Sequence, residues 1–142
     1  MIKLLPTFVG ACALLAAAPA ELLLFSPKEV PWVQPAQGPS VAVLEGDPAK
    51  PGPFTLRLRL KRGDKIPAHW HDGPERLTVL SGTVMLVIGD TLEAKAAKAC
   101  PAGTFFIVPP RTPHGGWAKT AAVVQIHGAG PFERRPLPVA AE

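Results

Sequence analysis

The chain has 142 residues, enough for one domain of ordinary size and too few for two developed cores. Its 15 lysines and arginines against 11 aspartates and glutamates give a formal charge of +4, and it contains no tyrosine. This argues against the extended basic patch with stacking aromatics that a nucleic-acid surface needs and leaves only mild attraction for anions.

Residues 1–20, MIKLLPTFVGACALLAAAPA, carry one early basic residue, Lys3, and then an apolar run to Ala18. They close on Ala18-Pro19-Ala20, the small-x-small arrangement that a signal peptidase reads. We expect a cleaved secretory signal at 1–20 and an exported protein, periplasmic or secreted, with no stable membrane insertion afterwards. A buried first helix or a retained anchor is the alternative. The mature chain, 21–142, would be a single domain with an N-terminal arm and a short C-terminal tail. It would keep one cysteine, Cys100, so no intrachain disulfide can form, and a structural thiol is the expected role.

The segment 22–36 is broken by Pro27, Pro31 and Pro35, which suits an arm or short edge strand. A turn at 37–40 leads to a short strand, VAVLE at 41–45, and a proline-rich loop covers 47–53. FTLRLRLKRG alternates cleanly, which places Leu56, Leu58 and Leu60 inward and Arg57 and Arg59 outward. After Gly63-Asp64 the extended IPAHWH carries His69 and His71. Asp72-Gly73-Pro74 turns the chain, and ERLTVL returns with Glu75, Leu77 and Val79 on one side. Ser81-Gly82 connects tightly into TVMLVIG, so this pair reads as a hairpin. Residues 92–100 read as an irregular link or short strand, and FFIV at 105–108 as a strand closed by Pro109-Pro110. Gly115-Gly116 marks a further turn after His114, AAVVQIHG at 121–128 forms the last strand, and PFERRPLPVAAE is a proline-punctuated tail. Many short strands joined by Gly/Pro turns, without crossover helices, predict an all-β sandwich or barrel.

Three of the four histidines fall into one constellation with an acid: His69, His71, Glu75 and His114. Positions 69 and 71 leave an extended chain on the same face. A turn would bring Glu75 back on the adjacent strand, and His114 would arrive from the other half of the domain. Imidazoles and a carboxylate among apolar strands are costly to bury unless coordinated or hydrogen-bonded. The set contains no sulfur and suits one divalent transition ion: Fe, Mn, Ni, Co or Zn. Other candidates near the ligands, for substrate contact or support, are Gln125 and His127 on the last strand, Trp117 beside the glycine pair, and Arg111. Phe106, Val108, Met85, Val87 and Val79 are candidate wall or core residues. Trp70, opposite the two histidines, is expected to pack between sheets or partners rather than to contact substrate.

The chain resembles the cupins. Gly63, His69, His71, Glu75 and Gly82 match the spacing of that family's first motif, and Gly103, Pro109 and His114 match its second. Arg111 stands where the second motif has glycine and Ala118 where it has asparagine; neither change removes a metal ligand. The resemblance implies a double-stranded β-helix, the cupin or jelly-roll barrel, with a metal held by His69, His71, Glu75 and His114. It also implies a homodimer, for which the arm 22–36 and Leu80 offer contacts. We therefore expect a mononuclear metal-dependent enzyme acting on a small oxygen-rich organic molecule. It would be dioxygenase-like or enolate-forming, an oxidoreductase or an isomerase or lyase, with Glu75 as the candidate proton acceptor. A non-catalytic ligand-binding or sensing module and a structural metal-stabilised barrel are the alternatives, because this fold does not specify a reaction.

Overall fold

A computed structural model describes residues 22–137; the expected signal segment at 1–20 lies outside the described residues. Among the described residues ten strands follow one another, with a single 3-10 turn at Ala94–Ala96. They are β1 (Ser40–Glu45), β2 (Gly52–Leu60), β3 (Lys65–Trp70), β4 (Glu75–Ser81), β5 (Thr83–Ile88), β6 (Lys98–Pro101), β7 (Phe105–Val108), β8 (His114–Ala118), β9 (Ala122–Gly130) and β10 (Arg135–Pro136). One sheet runs β1-β2-β9-β4-β7 and the other β10-β3-β8-β5-β6.

The all-β expectation holds, but the double-stranded β-helix barrel does not. Each sheet is open: β1 and β7 end the first, β6 and β10 the second, and neither closes on itself or curls. The edges are poor partners for closure. β7 has four residues and is followed by Pro109-Pro110, while β6 and β10 each include a proline that cannot donate to a ladder. Strand spacing and turn chemistry give the strands; whether two edges join depends on pairing across the sheets, which local pattern does not encode.

The longest pairing, β2 with β9, sets the interior. Leu56 lies opposite Ile126 and Leu58 opposite Val124, so the alternation read in each strand turns two apolar rows inward together. Phe54, Leu56, Leu60, Val124 and Ile126 form one buried cluster with Ala118 of β8, and Ile66 of β3 and Val84 of β5 pack against it. Residues from both sheets thus share the same core, which is what holds the sheets face to face. The arm is tied at Val33, which bridges to Val41, and the Arg59 guanidinium lies 3.9 Å from the centre of the Trp32 ring.

Two local expectations are overturned. β4 and β5 do not form a hairpin: β4 belongs to the first sheet and β5 to the second, so the chain changes sheet at Ser81-Gly82. Gly115 and Gly116 are not a turn but lie within β8. A Cβ on Gly116 would stand 2.0 Å from the Met85 carbonyl oxygen, and one on Gly115 would stand 2.7 Å from that of Ile66. These glycines let β8 sit close to β5 and β3, a packing need that reads like turn chemistry in sequence.

Candidate metal centre

Four side chains meet where the two sheets come together. His69 is the next-to-last residue of β3 and lies directly opposite His114, the first residue of β8, while His71 follows β3 immediately. Glu75 opens β4 in the other sheet. The expected sharing is therefore inverted: the histidines come from one sheet, and the carboxylate is the ligand that crosses. β3 and β4 are consecutive yet unpaired, because the Asp72-Gly73-Pro74 bend carries the chain between layers rather than back along one.

The four residues are 4 or 5 % exposed, and one donor atom from each lies within 4.8 Å of all the others. Each histidine is oriented by a backbone carbonyl at Nδ1: His69 by Pro67 O at 2.8 Å, His71 by Glu133 O at 2.7 Å and His114 by Thr112 O at 2.9 Å. A carbonyl only accepts, so each Nδ1 carries the proton and donates. That leaves three Nε2 atoms to face the carboxylate, the arrangement by which supporting hydrogen bonds aim imidazoles at a metal. His114 Nε2 and Glu75 Oε2 are 2.7 Å apart, and His71 Nε2 is 3.9 Å from the same oxygen.

The electrostatics agree with this. Burial pushes the His69 imidazole down to about 4, more than its bond to Pro67 raises it, so the ring is neutral at pH 7. His71 is also lowered by burial, with the Glu75 charge opposing. His114 is raised: burial acts against its charged form, but the hydrogen bonds to Glu75 and Thr112 together with the Glu75 charge outweigh it. A metal ion would replace that proton between His114 and Glu75. Three neutral imidazoles and one carboxylate, buried and convergent, fit one divalent transition ion.

The donors open onto a cavity of about 370 Å³ between the sheets. Its walls are mostly apolar: Leu56, Leu58, Leu60, Leu77, Val124 and Ile126 from the first sheet, Ile66, Val84 and Trp117 from the second. Of the candidate wall residues, Met85 and Phe106 line it, whereas Val79, Val87 and Val108 are core.

Trp117 borders the cavity, and Trp70 faces elsewhere, with the Arg135 guanidinium 6.0 Å from its ring centre. Gln125 and His127 stand on the face away from the cavity, because Val124 and Ile126 take the inward positions of β9. Gln125 Oε1 accepts from Arg57 Nε at 3.0 Å, and His127 shares a shallow outer depression with Thr55 and Arg76. Arg111 is exposed and does not line the cavity; it pairs with Asp72 at 3.6 Å, and its N–H donates to His71 O at 2.8 Å. With a φ of 57° it adopts the left-handed conformation that favours glycine, at a cost of about 1–2 kcal/mol.

The sequence reading missed the contribution of the C-terminal segment. Phe132 stacks on His71, with ring centroids 3.8 Å apart and planes 13° from parallel, and Glu133 supplies the carbonyl that orients it. Arg134 lines the cavity and donates from Nη2 to Pro67 O at 3.0 Å. Arg135 pairs with Asp72 at 3.1 Å and with Glu133 at 3.2 Å, and β10 joins the edge of β3. Three prolines in the segment signalled a tail; Phe132, its one aromatic residue, was the available sign of packing.

A family model described as a cupin domain matches residues 56–127. No curated protein sequence matches the chain. Among solved structures, the polyketide cyclase RemF from Streptomyces resistomycificus is 14% identical, with 84% of this chain and 88% of that one covered at a TM-score of 0.70. A putative acetylacetone dioxygenase from Methylibium petroleiphilum is 18% identical over 88% and 90%, at 0.65. Oxalate decarboxylase from Bacillus subtilis, described with Mn(II) centres, is 19% identical over 85% of this chain and 34% of that one, at 0.60. At these identities the likeness is one of fold.

Proposed function

The chain belongs to the cupin domain family, and from that premise we propose that it is a metal-dependent enzyme acting on a small organic molecule through an oxygen-bearing group. His69, His71, Glu75 and His114 would hold one ion of Fe, Mn, Ni, Co or Zn. Bound there, the ion supplies Lewis-acid polarisation of the ligand's oxygens and, with iron, access to oxygen chemistry. The chain supplies the rest. The apolar walls exclude water and hold the ligand's body, and the three backbone carbonyls keep the imidazoles aimed. Glu75 Oε2, buried and 2.7 Å from His114 Nε2, belongs to the one carboxylate at the cavity among the described residues and is the candidate proton acceptor.

The observation that carries this reading is a buried donor set facing a cavity large enough for a ligand, rather than one sealed by side chains. A structural metal site would be closed. The dioxygenase and decarboxylase among the similar folds lend support by their names alone. The test is to load the metal-free protein with each of the five ions, measure stoichiometry, and follow oxygen uptake with 1,2-diols and β-diketones under Fe(II). One ion per chain and uptake with one of these compounds support the proposal. A protein that takes up none of the ions sinks it.

A binding module without turnover is the second reading, favoured by one observation. Beyond the four ligands and Arg134, no described residue lining the cavity carries a titratable side chain. Substrate-dependent consumption of any compound that binds would decide against it.

The remaining proposals are export, directed by residues 1–20, and homodimer formation. Phe105 and Ile107, exposed on edge strand β7, and Leu80 on β4 support the dimer, which light scattering tests. No helix among the described residues is long and apolar enough to cross a membrane.

A further inference from the structure

The cavity is chemically lopsided. Among the described residues that line it, Arg134 is the one lysine or arginine and Glu75 the one carboxylate. Both belong to the metal end: Arg134 donates from Nη2 at 3.0 Å to Pro67 O, the same carbonyl that orients His69 at 2.8 Å. The walls away from that end are mostly leucine, isoleucine, valine and phenylalanine, with Gln37 the one uncharged amide among the described lining residues. A ligand with hydroxyls along its whole length would leave most of them without partners against such walls.

Arg134 is positioned rather than neutralised. One hydrogen bond, from Nη2 to Pro67 O, holds it, and among the described residues no carboxylate forms an ion pair with it. Its neighbour Arg135, by contrast, is paired with both Asp72 and Glu133. Partial desolvation pulls the Arg134 guanidinium below its ordinary pKa, more than the Glu75 charge raises it. A dication held by Glu75 and three neutral imidazoles would add to this positive charge, so the metal end calls for an anionic partner. The guanidinium fork suits a carboxylate.

Resting on the metal-site reading above, we infer that the ligand is an amphipathic monoacid, its carboxylate received by Arg134 beside the metal donors and its apolar body lying along the Leu56–Leu58–Leu60 and Val124–Ile126 rows. A volume of about 370 Å³, at roughly 30 Å³ for each water-sized group, has room for on the order of a dozen non-hydrogen atoms. The oxygens of such a ligand are gathered at one end, where the charged groups of the cavity stand among the described residues.

The test uses the full chain loaded with Zn(II), which is redox-silent, with calorimetric titration of butanoate, hexanoate, octanoate, succinate and 1-octanol. Zinc content is measured separately on each sample. Affinity should rise roughly three- to fourfold per added methylene from butanoate to octanoate, and succinate should bind more weakly than octanoate. Arg134→Gln should weaken octanoate roughly ten- to a hundredfold, leave 1-octanol unchanged and keep one zinc per chain. Octanoate binding that ignores this substitution, or that is flat with chain length, overturns the inference. Should Arg134→Gln fail to fold, the wild type alone decides: equal affinity for octanoate and 1-octanol overturns it. A wild type holding no zinc is a different result, and it removes the metal reading itself.

Discussion

Phe132 lies flat against His71, its ring centre 3.8 Å away, and also meets Phe54 of the core at 4.9 Å. One aromatic residue from beyond the last long strand thus couples a metal ligand to the packing of the domain.

Phe132→Ala should therefore show two effects together. Losing this half-buried ring should cost about 2–3 kcal/mol of stability, read from thermal or urea unfolding. The freed His71 ring should lower zinc affinity about tenfold in a chelator competition, as the loss of a supporting contact does. Unchanged zinc affinity would show that the Glu133 carbonyl alone orients His71.

His114→Ala removes a ligand and the partner of Glu75 at once. Metal affinity should fall by more than the roughly 10- to 100-fold typical of losing a supporting residue. Chelator competition and bound-metal analysis check it, and retention of full stoichiometry at unchanged affinity would refute the four-ligand geometry.

The metal-free protein should lose stability in mild acid. His69 is held at about 4 in the fold, against 6.5 for an ordinary imidazole, so the unfolded chain binds its proton first as pH falls. Its contribution is present above pH 6.5 and is lost between 6.5 and 4, an amount on the order of 3 kcal/mol. His71, also lowered, acts in the same direction. His114 is raised and acts oppositely: its contribution is present below 6.5 and disappears as pH rises through its folded value. With two groups against one, the net change on acidification should be a loss, measured as the urea midpoint from pH 7 to 4. A midpoint that holds or rises would contradict the burial of His69 and His71 as neutral rings.

Gln125→Ala and His127→Ala should leave metal stoichiometry and affinity untouched, since both residues stand on the outer face of β9. Gln125→Ala should cost at most about 1 kcal/mol through its bond with Arg57. A fall in metal affinity in either variant would place that residue at the site after all.

The metal donors were legible because extended chain has a fixed two-residue period. His69 and His71 had to share a face, and Leu56, Leu58 and Leu60 had to point inward once their strand was recognised. The same rule placed Gln125 with His127 but could not say which face of β9 turned inward. Val124 and Ile126 settled that by pairing across from Leu58 and Leu56.

By itself, then, the sequence determined an all-β chain and the identity of its four metal donors, since both follow from local spacing and side-chain chemistry. Tertiary structure alone decided that the sheets stay open, that β4 and β5 part at Ser81-Gly82, and that Glu75 reaches the histidines from the opposite sheet. It also decided that residues 132–135 return to build the site around His71. These outcomes depend on contacts between segments far apart in the chain, whose free energies no local pattern of residues records.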